Sequence, residues 1–193
     1  MIGATIDLMV ERGMHAVSVD AIAERSGVAK TTVYRHWPTR EALILAAWYT
    51  LVPEEPDAPT GDLQGRILAL ALAFARRIGA PPMSVLLPEL LACAGRDADM
   101  LAVYEEILRV RGKPLTEAVA AAVVEGVLPA WTDVELMASL ILGPIAFQQL
   151  IVRKPVDPVF IGQVVSIAME SALQEIIQEP RPKSRTSPPT RSR

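Results

Sequence analysis

The residues best suited to chemistry lie in one short stretch, VDAIAERSGVAKTTVYRHW, at positions 19–37. Val19, Ile22 and Ala23 fall on one side of a first helix, and Gly27 supplies a left-handed turn to end it. In the segment that follows, Val33 and Trp37 stand four apart and face inward. At about 100° per residue, Thr31, Thr32, Arg35 and His36 point away from them, with Lys30 and Tyr34 at the border. A face of ammonium, guanidinium, hydroxyl, phenol and imidazole groups suits phosphate oxygens and base edges. Four basic residues and no acidic one lie from Arg25 to Arg40. Helix starts at Ser18, Lys30 and Arg40 would add backbone N–H donors for phosphate. On spacing and charge alone, a solvated helical hairpin without a partner accounts for the same residues equally well.

Holding such a face in place takes a folded body, and the composition supports one. The chain has 193 residues, of which 51% are hydrophobic and 21% charged, enough for a sizeable core. The formal net charge is −3. From Pro180 onward there are five basic residues and no acidic one, so residues 1–179 carry 14 basic against 22 acidic groups, a net −8. Contact with a polyanion must therefore be a local patch on an acidic body. Cys93 is the single cysteine, which excludes a disulfide framework and a cysteine-based zinc cluster. His15 and His36 are too few for a histidine-rich site, and no metal or cofactor is expected. No uninterrupted apolar run reaches the roughly 18 residues of a membrane span, and no basic segment precedes an apolar one at the start. A soluble, cytoplasmic protein without membrane contact is the expectation.

The periodicity is helical nearly throughout, and strand signals are almost absent. It predicts an all-α chain of about nine helices, at 2–12, 19–26, 30–37, 40–51, 63–79, 83–94, 98–125, 133–152 and 158–178. Ser18, Thr39 and Thr132 stand where N-caps belong, each followed by an acidic residue in the first turn. Pro114 is expected to kink the seventh helix or split it near Gly112. Residues 52–62, with three prolines, read as a stiff linker. The last 14 residues, PRPKSRTSPPTRSR, have no aliphatic side chain to bury and read as a disordered basic tail. The expected division is a head at 1–50, a helical body at 62–179 and the tail at 180–193.

The run VSVDAIAERSGVAKTTVYRHWPTREAL resembles the DNA-binding domain of the TetR (tetracycline-repressor-like) family. That family's helix-turn-helix closes in Tyr-x-His-aromatic, followed by a Lys or Arg that opens a fourth helix. The resemblance is dense over residues 2–47. It implies a three-helix DNA-binding head followed by a helical ligand-binding and dimerisation body. By the same resemblance, Ser18 caps the scanning helix and binds phosphate, and Lys30, Thr31, Thr32 and Arg35 reach into the major groove. Tyr34 and His36 then grip the backbone, and Arg40 neutralises a phosphate. Three departures stand out. Ala29 occupies a position usually given to a hydroxyl N-cap, a change that costs about 1 kcal/mol. Asp20 puts a negative charge beside the scanning-helix start. Met1 falls where the first helix of the family is already running, without the usual Arg-rich approach.

For the body, residues 136–147 (LMASLILGPIAF) are similar to the eighth helix of some TetR subfamilies, where a Gly-Pro pair sits at the dimer interface. The implied interface is Leu136, Leu140, Gly143, Pro144, Phe147 and Ile151, with Val164, Ala168, Ser171 and Ala172 small enough on the last helix for close approach. A dimer also has a physical motive, since one short recognition helix reads few base pairs and two-fold symmetry doubles the contact. The ligand pocket of such proteins points to Trp48, Phe74, Met83, Leu87, Leu90, Cys93, Met100 and Tyr104. Met and aromatic residues at this spacing are more often plain core; as a pocket they favour a hydrophobic or aromatic effector.

Catalysis finds no foothold, as no HExxH, GxSxG or phosphate-loop pattern is present. The expected function is a ligand-responsive repressor of a palindromic operator. The competing expectation is a helical small-molecule-binding dimer with a vestigial DNA-binding head.

Overall fold

The computed structural model describes residues 1–51 and 61–173. Its described residues hold nine α-helices: α1 Ile2–Arg12, α2 Val19–Ser26, α3 Lys30–His36, α4 Arg40–Leu51, α5 Leu63–Gly79, α6 Met83–Ala94, α7 Ala98–Val124, α8 Val134–Ala146 and α9 Pro158–Leu173. A 3-10 turn at Met14–Ala16 joins α1 to α2, and a π-turn at Phe147–Ile151 continues α8. The fold is all-α, with no strand among the described residues. The linker over 52–60, residues 174–178 of the expected last helix, and the basic tail lie outside the described residues.

Local chemistry sets the helix ends. The Ser18 hydroxyl accepts the Ala21 N–H at 3.1 Å to open α2, and Thr39 does the same for Ala42 at 3.1 Å to open α4. Gly27 ends α2 at φ 68°, a conformation that costs a side-chain-bearing residue about 1 kcal/mol or more. Asp62, Asp97 and Asp133 cap α5, α7 and α8 with their carboxylates. Asp133 thus replaces Thr132 as the expected cap of α8, since its carboxylate is the group that meets the Leu136 N–H at 3.0 Å.

Two further expectations are corrected. Helix α7 continues through Gly112 and Pro114 as one element, so the expected split near Gly112 does not occur. Proline removes the N–H that the Val110 carbonyl would accept and crowds that carbonyl, while Leu115, Val119 and Ala122 stay buried on one side and hold the helix to the core. The expected helix at 133–152 stops being α at Ala146. Pro144 has no N–H for the ladder, the Phe147 N–H reaches both the Gly143 and Pro144 carbonyls, and the turn widens until Val152 N–H bonds Phe147 O at 3.0 Å.

The helices enclose two apolar cores. The first combines α1 to α4 with α6 and the early part of α7, through Leu8, Met9, Ile22, Val33, Leu43, Trp48, Leu86, Leu90 and Met100. The second lies among α5, the later part of α7, α8 and α9, through Ile67, Ala71, Val119, Ile141, Ile145 and Val165. Leu87 on α6 touches both cores. Helix α6 leaves α5 at 83° across Ala80 to Pro82, which sends it toward the head.

Candidate nucleic-acid interface

Helix α3 is held by one fully buried side chain. Val33 is completely enclosed, packed in the same core as Ile22 of α2, so the face opposite it turns outward. Burying each of these two aliphatic side chains contributes about 1.5–3 kcal/mol and fixes the angle of α3 against α2. Lys30, Thr31, Tyr34, Arg35 and His36 are exposed, Tyr34 by 53%, and Thr32 is half-buried. Trp37 packs on the core, with its ring tilted 47° against His36 at 5.5 Å. The arrangement expected of α3 is present, and Ala29 leaves it without a side-chain cap.

The charges are more committed than the sequence suggested. Arg25 turns back to α1, where it donates to both Glu11 oxygens, one at 2.7 Å, and lies 3.9 Å from Asp7. Lys30 pairs with Asp20 at 2.9 Å, and that carboxylate holds the ammonium above the usual lysine range. Arg40 does not stand outward with the α3 face. Its guanidinium donates to the Met14 carbonyl at 2.9 Å and lies 3.8 Å from Glu41. Among the described residues, Arg35 is the one cation of these four without an acidic or backbone partner. Both α2 and α3 therefore carry internal ion pairs that any phosphate must compete with or share.

The backbone of Met14 joins head to body. Its N–H donates to Glu89 of α6 at 2.6 Å while its carbonyl takes the Arg40 hydrogen bond from α4. The carboxylate fits because residue 13 is glycine: a Cβ there would stand 2.3 Å from Glu89 Oε1. Two helices thus grip the single turn that feeds α2. Glu89 and Arg25 are the residues sequence reasoning missed here, because their partners lie 75 and 14 positions away.

Residues 56–168 match the family described as tetracyclin repressor-like, C-terminal domain, and residues 2–47 match the description bacterial regulatory proteins, tetR family. The chain belongs to the TetR family of transcriptional regulators. A helix-turn-helix transcriptional regulator of Bacillus subtilis, YdeS, is 29% identical over 175 residues, covering 88% of this chain and 86% of that one. The solved TetR-family regulator SCO0332 superposes with a TM-score of 0.67 at 28% identity, covering 88% of this chain and 94% of that one. The transcriptional regulator FadR of Bacillus subtilis, solved with stearoyl-CoA, shares the fold at a TM-score of 0.63 and 19% identity, covering 87% of this chain and 95% of that one.

The other residues singled out in this TetR-family chain fall in three places. Trp48, Met83, Leu90 and Met100 are buried in the first core, with Leu87, Cys93 and Tyr104 packed against it. Phe74 packs on the second core, and Leu87 on both. Burial raises the Cys93 thiol and the Tyr104 phenol above their ordinary ranges, which keeps both protonated at neutral pH. Leu136, Leu140, Gly143, Pro144, Phe147 and Ile151 form an exposed stripe along α8 and its π-turn. On α9 the expected face is rotated. Ala168 is enclosed in its own protomer, Val164, Ser171 and Ala172 are half-buried, and the outward apolar side chains are Val159, Ile167 and Leu173. Among the described residues, no three His, Cys, Asp or Glu side chains gather to hold a metal ion.

Proposed function

We propose that this TetR-family protein is a repressor whose homodimer binds a palindromic operator and is released by a small hydrophobic effector. The observation that carries the DNA reading is the outward face of α3: Thr31, Tyr34, Arg35 and His36 are all exposed while Val33, opposite, is fully enclosed. In this reading Lys30, Thr31, Thr32 and Arg35 enter the major groove, Tyr34 and His36 grip phosphates, and Ser18 adds a contact at the start of α2. Arg40 acts from behind, by holding the Met14 turn. The protein works where the DNA is, in the cytoplasm.

The dimer reading rests on α8. Its inner face, Met137, Ala138, Ile141 and Ile145, is buried, yet Leu136, Leu140, Phe147 and Ile151 remain exposed on the outer face. An apolar stripe of this length in water favours a second protomer. The segment Val134–Ile151 is apolar enough to cross a membrane by length and composition. Its buried inner face suits a bundle helix better. A hydrophobic effector accords with the stearoyl-CoA held by the FadR structure.

A second reading, a ligand-binding dimer with a vestigial head, is favoured by one finding: Arg25, Lys30 and Arg40 are all engaged within the protein. A gel shift across a salt series, on the DNA upstream of the protein's own gene, separates the two. Specific retention that weakens steeply with salt supports the repressor. Equal, negligible retention of operator and random DNA supports the vestigial head.

A further inference from the structure

Helix α6 has two faces. Leu86, Glu89 and Leu90 look toward the head, while Ser84, Val85 and Pro88 look away from it into a cleft of about 540 Å³. The far wall of that cleft is Gln149, Leu150, Arg153, Lys154 and Pro155, from the π-turn and the segment after it.

The polar groups of this cleft are unspent. Arg153 and Lys154 are exposed at its rim, and neither forms an ion pair among the described residues. The side-chain oxygen of Gln149 is buried without a hydrogen-bond partner. Its amide nitrogen lies so close to Gly79 that a Cβ there would stand 2.5 Å away. A buried acceptor with no donor costs about 1–3 kcal/mol, so a ligand that supplies the donor gains there. Two free cations call for an anion, one orphan acceptor calls for an N–H or O–H, and Val85, Pro88, Leu150 and Pro155 call for an apolar body.

We propose that this cleft is the effector site, and that it takes an apolar carboxylate carrying an amide or hydroxyl donor. Arg153 and Lys154 hold the carboxylate, Gln149 accepts the donor, and the apolar body lies along α6. The inference rests on the reading of an effector-responsive regulator and gives that effector a place and a charge. It also gives a route to the DNA. Pro88 lines the cleft and its neighbour Glu89 holds the Met14 N–H, so a ligand that pushes α6 acts directly on the turn that feeds α2.

The test uses the full chain with N-decanoylglycine as probe, which combines an alkyl chain, an amide N–H and a carboxylate. Calorimetric titration is expected to show saturable binding, at least tenfold weaker for the neutral N-decanoylglycinamide. Binding is also expected to weaken at least tenfold in the Arg153→Ala/Lys154→Ala double variant and several-fold in Gln149→Leu, while Lys113→Ala, a cation outside the cleft, changes nothing. Absence of binding by the intact chain, or equal binding by the double variant, overturns the site. Should the double variant unfold, Val85→Trp, which fills the cleft from an exposed position, decides in its place. Operator retention measured in the same samples is expected to fall at least tenfold when the probe binds. Probe binding that leaves DNA affinity unchanged overturns the coupling through α6. A chain that retains no operator even without probe overturns the repressor reading and leaves the titration to decide the cleft.

Discussion

The two cores of this protein are built differently. The first, which joins head to body, buries four methionines (Met9, Met14, Met83 and Met100) and has a polar clamp at its edge, where Glu89 and Arg40 meet the two backbone polar groups of one residue, Met14. The second buries five alanines (Ala71, Ala75, Ala122, Ala138 and Ala168) among branched aliphatic side chains, which lets α5, α7, α8 and α9 approach closely. Methionine fills irregular space and adapts when neighbours move, whereas close packing of small and branched residues tolerates little displacement. By composition the joint is the more adaptable of the two cores and the platform the stiffer. A regulator needs both.

The largest expected effect tests the platform's outer face. Phe147→Glu places a carboxylate in the apolar stripe of α8, where burial against a partner costs several kcal/mol. Sedimentation is expected to show monomers; an intact dimer would move the interface off α8. Truncation inside the cores comes next. Ile141→Ala and Leu90→Ala are each expected to cost about 2–5 kcal/mol in urea unfolding, with Ile141 at the upper end because its surroundings collapse less readily. Equal costs would erase the contrast between an adaptable and a rigid core.

Smaller effects probe the clamp and the DNA face. Glu89→Ala leaves the buried Met14 N–H without an acceptor, at about 1–3 kcal/mol, while Glu89→Gln keeps an acceptor and loses less. Hydrogen exchange at the Met14 amide is the direct readout, and protection equal to the unmodified chain would remove the clamp from the account. The smallest effects are electrostatic. Arg35→Ala is expected to flatten the slope of log affinity against log salt by about 0.9, the signature of one lost phosphate contact. Lys30→Ala is expected to flatten it less, because Asp20 already neutralises that ammonium, and Asp20→Asn to tighten binding. Equal slopes for the two lysine and arginine variants would mean that the ion pair opens freely on DNA.

The head was legible in the sequence because its signals are local. Ser18, Gly27, Thr39 and the Val33–Trp37 spacing act within four residues of themselves, and the structure uses them as read. What escaped were partners distant along the chain. Nothing near Arg40 indicates that it donates to Met14 rather than facing solvent, and nothing near Arg25 points to Glu11. The same limit rotated α9: small residues mark close approach, but Ala168 approaches its own protomer's core instead of a partner. The end of α8 escaped for a third reason. Proline announces a disturbance of the ladder without saying whether the helix kinks, stops or widens.

The widened turn at Phe147–Ile151 has a consequence for which way everything after it points. One extra residue in a helical turn advances the phase of the following chain by about 100° without changing its direction much. Phe147 stays exposed in line with Leu136 and Leu140, while Gln149, inside the turn, lies toward α6 in the cleft. Deleting Gln148 is expected to restore regular winding there and to take Gln149 off the cleft. The π-turn thus lets one helix present two surfaces in succession, an exposed apolar stripe and a face turned to its own interior.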